Sequence, residues 1–152
     1  MLYRIGCLGR ISSFSETNDG RYLITLTGIV RFEVAEELSM HRGYRRVRAE
    51  LSRFSADLDA SSELRLDREA LLAALRRYFA QRGIDANWDA LSEMPDYALI
   101  VTLSMVCPFD PTEKQALLEA PTPAERAEVL LSLLLIDSHA VPADTSPHFR
   151  AS

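Results

Sequence analysis

The stretch PFDPTEKQALLEAPTPAERAEVLLSLL, Pro108 to Leu134, gathers the side chains best suited to chemistry: Lys114, the only lysine, and Glu113, Glu119, Glu125 and Glu128. A desolvated lysine can activate a serine, and two carboxylates facing one cleft can divide acid and base work. The local pattern assigns them another task. Asp110, Pro111 and Glu113 are the cap, first-position proline and third-position carboxylate of a helix start, and Thr122, Pro123 and Glu125 repeat the pattern a dozen residues on. Lys114 therefore sits in a first helical turn, where a Ser–Lys dyad has no place, and Glu125 with Glu128 reads as a solvated stripe. His41, His139 and His148 have no partner at metal-ligand spacing. Cys7 and Cys107 lie a hundred positions apart without a CxxC, and both read as buried reduced thiols. A GxxxxGK[ST] loop is absent from the sequence. The expectation is a chain with no catalytic residue, no cofactor and no metal.

The elements around this stretch fall into two textures. The chain is 152 residues long and 47% hydrophobic, the size of one domain with ample core. Residues 1–54 carry nine arginines against six acids, and residues 55–152 carry eight bases against sixteen acids. The first part alternates β-branched and aromatic residues with polar ones. It predicts four strands, LYRIGCLGRIS, RYLITLTG, IVRFEVAEEL and YRRVRAELSRF, with a turn at TNDG and a bulge or bend at Gly28. In the fourth strand Val47, Ala49 and Leu51 share one parity with Arg45 and Arg53, and Tyr44, Arg46 and Arg48 share the other, as expected for a sheet with one dry and one wet face. From Leu66 onward helices take over. Asp67 caps the first, which stops at Gly83, with Leu71, Leu72, Leu75 and Phe79 on one face. MPDYALIVTLSMVCPF reads as a buried helix, and a last helix from Pro123 to about Asp137 turns Ala127, Leu130, Leu131, Leu134 and Leu135 inward. The predicted divisions are a β portion over 1–56, a helical subdomain over 57–138 and a mobile tail over 139–152.

One surface remains as a candidate for binding. Arg31, Tyr44 and Arg46 on exposed strand faces suit a polypeptide added at a sheet edge, or the phosphates and bases of RNA. Arginines also solubilise a sheet and guard its edge. The acidic chain disfavours nucleic acid, and no apolar run reaches the ~20 residues needed to cross a bilayer. The start, MLYRIGCLG, lacks the basic segment, long apolar stretch and small-residue cleavage site of a signal peptide, so a cytoplasmic location is expected.

GCLGRI, DGRYLITLTGIVRFEV, YRRVRAEL and EKQALLEAPTPAERAEVLLSLL, in this order, resemble the amino-terminal substrate-binding domain of Lon protease and its free-standing relatives. The closing motif is the most specific: Gln115, Leu117, Leu118 and Glu119 match the KQxLLE helix, and Glu125 with Arg126 the ER-containing helix after a short break. Gly6, Cys7 and Gly9, with Gly28 further on, match the glycine motifs. The resemblance spans about Tyr3 to Ile136. It implies an α+β fold, a PUA-like β-barrel followed by a small helical bundle, and a role in recognising unfolded or flexible proteins without catalysis. The family's usual proline-rich PLFPL-type strand and EPRY-like motif stand upstream of the GC motif, where this chain starts. The resemblance therefore implies a barrel incomplete at the N-terminus, free strand edges and self-association. Leu118 and Leu131 are expected in the core, and Glu119 is expected to be architectural.

Overall fold

A computed structural model of the chain describes residues 2–58, 64 and 66–139, with side chains to 136. Most of the expected tail, 140–152, lies outside the described residues. Three antiparallel strands come first: β1 (Ile5–Glu16), β2 (Tyr22–His41) and β3 (Tyr44–Glu50), in the spatial order β1-β2-β3. A 3-10 segment, Ser52–Leu58, leads to α1 (Arg68–Arg82), α2 (Trp88–Glu93), α3 (Asp96–Val106), α4 (Pro111–Glu119) and α5 (Pro123–His139).

The second and third predicted strands are one. The bulge expected at Gly28 is present, since Leu8 pairs with Val30 but Gly9 with Gly28, leaving Ile29 as the extra residue. It bends β2 without ending it, because pairing to β1 resumes on both sides. At the other hairpin Arg42 and Gly43 both take positive φ, 50° and 84°, as a two-residue turn that matches the twist of its strands requires. β1 pairs with β2 as far as Glu33, and β3 pairs with β2 from Glu33 onward. The sheet is consequently two hairpin ribbons sharing one long strand, and the dry face expected for β3 does not form: Ala49 and Leu51 are exposed and Val47 is half-buried. The predicted end of the fourth strand, Ser52 to Phe54, belongs to the 3-10 segment.

The helices form where the caps predict. Asp67 Oδ1 accepts from the Ala70 N–H at 3.0 Å, and Gly83 closes α1 in the left-handed region at φ 62°. Asp110 and Glu113 make a reciprocal capping box, and the Thr122 hydroxyl and Glu125 carboxylate cap α5. The short α2, capped by Asn87, has too few residues to show a helical period and has no counterpart in the pattern reading. Lys114 Nζ donates to Met105 O at 3.1 Å, near the end of α3.

Two cores result. The larger joins α1, α3, α4 and α5 through Leu71, Leu75, Tyr78, Leu99, Leu103, Leu117, Leu130 and Leu134. The smaller consists of Ile5, Val30 and Phe54, with Leu118 packed against it. Adjacent residues of α4 thus face different cores: Leu117 is fully buried among the helices, whereas Leu118 is half-buried against the sheet. Leu131 is likewise half-buried, and Leu135 is exposed, because α5 directs Ala127, Leu130 and Leu134 inward. Cys107 is buried, but Cys7 is exposed, a correction to the expectation of two buried thiols.

Candidate functional site

The residues proposed for polypeptide binding separate into two places. Arg31 is at the junction of sheet and helices, with its side chain 5% exposed. Its Nη2 meets Asp57 Oδ1 at 2.7 Å and its Nε meets Oδ2 at 2.8 Å. Nη1 also donates to Leu118 O at 3.0 Å and to Ala120 O, and Nη2 donates to Pro121 O at 3.2 Å. The guanidinium lies 4.4 Å from the centre of the Phe54 ring. The expectation that Arg31 shares a surface with Tyr44 and Arg46 is corrected: it satisfies carbonyls at the end of α4 and in the α4–α5 connection. A buried arginine without these partners would be costly, and five donors in a rigid fork suit the convergence of acceptors. Alternation along a strand cannot reveal this, since the partners are 26 to 90 residues away in sequence.

Tyr44 and Arg46 do stand together on one exposed face of β3. Tyr44 is 54% exposed and meets His41 edge to face, with ring centres 5.7 Å apart. Arg46 Nε donates to Ser39 O at 3.2 Å, and among the described residues no carboxylate forms an ion pair with it. Its neighbours are neutralised. Arg45 pairs with Glu37 at 2.7 Å and Arg48 with Glu36 at 3.2 Å. The Arg45 guanidinium holds the Glu37 carboxyl below its ordinary pKa.

The residues of the glycine, KQxLLE and ER motifs gather at the Arg31 junction and along the hairpin beside it. Gln115 Nε2 donates to Ile5 O at 3.0 Å and to Glu119 Oε1 at 2.8 Å, tying α4 to the first strand. Arg126 Nε donates to Leu117 O at 3.0 Å. Burial, with Arg31 nearby, lowers the Arg126 pKa from its ordinary value. Gly6 lies under the Phe32 ring, where an added Cβ would be 2.7 Å from the ring edge, and at Gly28 a Cβ would be 3.4 Å from Cys7 Sγ. Gly9 opposes Gly28 across the bulge. Glu119 also borders an open pocket of about 380 Å³ beside Arg4, Ile5, Glu33 and Arg53, in which Glu33 pairs with both arginines.

A second cationic knot escaped the pattern reading. Arg68 reaches Asp96 and the carbonyls of Leu91, Ser92 and Met94, the last at 2.7 Å, and so joins α1 to the end of α2, the α2–α3 connection and the start of α3. Its position in the first turn of α1 carries no signal of these distant partners. Among the described residues no group of three or more His, Cys, Asp or Glu is placed to hold a metal ion, and no helix is long and apolar enough to cross a membrane.

A buried arginine locks the antiparallel sheet to the helical unit in a mixed α/β fold, and motif residues serve the lock. The family model for the ATP-dependent protease La (LON) substrate-binding domain matches residues 1–135, and the chain belongs to that family. A crystal structure of a Lon N-terminal domain protein from Xanthomonas campestris has the same fold, with a TM-score of 0.60 and 22% sequence identity. The match covers 86% of this chain and 68% of that one. No curated protein matches the chain in sequence.

Proposed function

We propose that this chain is a non-catalytic module that binds unfolded or flexible polypeptide, acting in the cytoplasm as an adaptor in protein quality control. In this reading the strands are part of a PUA-like barrel and the helices form its bundle. The observation that carries the proposal is the outer edge of β3, the end strand of the sheet, beside the exposed Tyr44 and Arg46. An end strand offers a row of N–H and C=O groups to a guest chain, and side chains next to that row select the guest. Membership in a substrate-binding family supports the same reading. RNA is disfavoured, because Arg45 and Arg48 are already paired with Glu37 and Glu36, so phosphates would have to compete for them.

Fluorescence anisotropy of a labelled unfolded polypeptide and of a labelled single-stranded RNA, each titrated with the chain at low and moderate salt, tests the proposal. Polypeptide binding should persist at moderate salt and weaken by about tenfold in Tyr44→Ala, the loss of one contact worth ~1.4 kcal/mol. Binding of RNA alone, collapsing as salt rises, would overturn it.

A further inference from the structure

The β1/β2 hairpin beyond Gly9 and Gly28 has one apolar face and one polar face. Ile11 pairs with Leu26, Phe14 with Ile24 and Glu16 with Tyr22, so the large side chains of Ile11, Phe14, Tyr22, Ile24 and Leu26 share a face. Phe14 and Tyr22 stack with ring centres 5.2 Å apart. The opposite face carries Ser13, Ser15 and Thr25 with Leu23 as its one large apolar side chain, and Ser12 joins it, its Oγ donating to Thr25 O and accepting from Thr27 Oγ1. All five apolar residues are between 48% and 62% exposed. A two-stranded ribbon is marginal alone, and a continuous apolar patch above a few hundred Å² marks a contact surface.

We propose that this face is the contact surface of a symmetric dimer, occupied by the same face of a second copy of the chain. With aromatic and large aliphatic side chains of roughly 150–250 Å² each, the patch exposes on the order of 550 Å². Two copies face to face would bury about 1,100 Å², which clears the ~1,000 Å² needed for a specific interface. A two-fold contact sets each group near the axis against its own copy, and charges there would repel. The middle of this patch, Ile11, Phe14, Ile24 and Leu26, carries none. The neighbouring Gly9 and Gly28 add no side chain that would hold the partner away.

Sedimentation equilibrium of the full chain over a wide concentration range tests this, with Phe14→Glu on the apolar face and Leu23→Glu on the polar face, where Leu23 opposes Ser15. The wild type and Leu23→Glu should sediment at twice 17.1 kDa, and Phe14→Glu should lose the dimer. Circular dichroism should show an unchanged helical signal in both variants. Should Phe14→Glu fail to fold, Leu26→Ser serves in its place with the same expected loss. A wild-type monomer at every concentration, open-ended aggregation, or a dimer indifferent to both Phe14→Glu and Leu26→Ser would overturn the proposal. So would a wild-type monomer that captures a labelled apolar peptide through this face, which would assign it to a polypeptide guest.

Discussion

Arg31 and Asp57 meet through two parallel hydrogen bonds, Nη2 to Oδ1 at 2.7 Å and Nε to Oδ2 at 2.8 Å, and the Arg31 backbone N–H donates to the same Oδ2 at 3.0 Å. This pair fastens β2 to the 3-10 segment, while the remaining guanidinium bonds reach the end of α4 and the α4–α5 connection. Arg31→Ala would leave buried carbonyls and a partly buried carboxylate without their partner. The expected loss is about 3–5 kcal/mol of unfolding free energy, measured by urea denaturation.

Arg31 also sets a pH dependence. Its hydrogen bonds hold the Asp57 carboxyl below the ordinary carboxylate pKa, against the opposing effect of burial. A carboxylate depressed in the folded state stabilises fully above its unfolded pKa, near 3.9, and loses that contribution as pH falls through the lower folded value. Asp57→Asn should lower stability at neutral pH and flatten its decline below about pH 4. An unchanged acid limb in thermal melts would count against this role.

Leu117 and Leu118 are adjacent but serve different cores, so their alanine variants should behave differently. Leu117→Ala should cost about 2–5 kcal/mol, the usual range for a fully buried leucine. Leu118→Ala should cost less overall, because Leu118 is half-buried, and should raise hydrogen exchange in Ile5 and Val30 ahead of the helical core. Equal protection loss in α1 and β1 would contradict the division. Glu119→Gln, which keeps an acceptor for the Gln115 amide, should leave polypeptide binding intact.

Gly6 is required by close approach. Its φ is not in the left-handed region, but a Cβ would be 2.7 Å from the Phe32 ring. Gly6→Ala should lower stability by about 1–3 kcal/mol through overpacking, and Phe32→Leu in the same chain should recover part of it. A melting temperature unchanged by Gly6→Ala would remove the explanation.

The two thiols should differ in reactivity. Cys7 is exposed, whereas burial pushes the Cys107 thiol up to about 11. A thiol reagent at neutral pH should modify Cys7 rapidly and Cys107 only after unfolding, since the thiolate is the reactive form. Rapid modification of both in the native protein would show that the helical core opens readily.

Local chemistry was legible in the residue order. Asp67, Asn87, Asp110 and Thr122 cap helices through atoms three residues away, and Gly83 stops α1 for reasons confined to its own backbone. Asp67, Asp110 and Thr122 could be read directly, Asn87 only in retrospect. The bulge at Gly28 and the apolar face of α1 were equally local. The KQxLLE and ER motifs identified the family, although their physical task was not visible in the motifs themselves.

Where charge and apolar surface end up follows from packing between distant segments. Arg31 and Arg46 occur in similar alternating strands, yet one is buried by Asp57 and three carbonyls at the end of α4 and just beyond it, about ninety residues away, while the other faces solvent. Strand period assigns a side chain to a face but says nothing of what lies over it. The same limit explains why Phe14 and Ile24, apolar by sequence, stand exposed on a ribbon, and why Leu117 and Leu118 part company. Helix caps and turns follow from residue order, because their bonds span a few residues, whereas the continuity of β2 and the faces that are covered follow from tertiary packing.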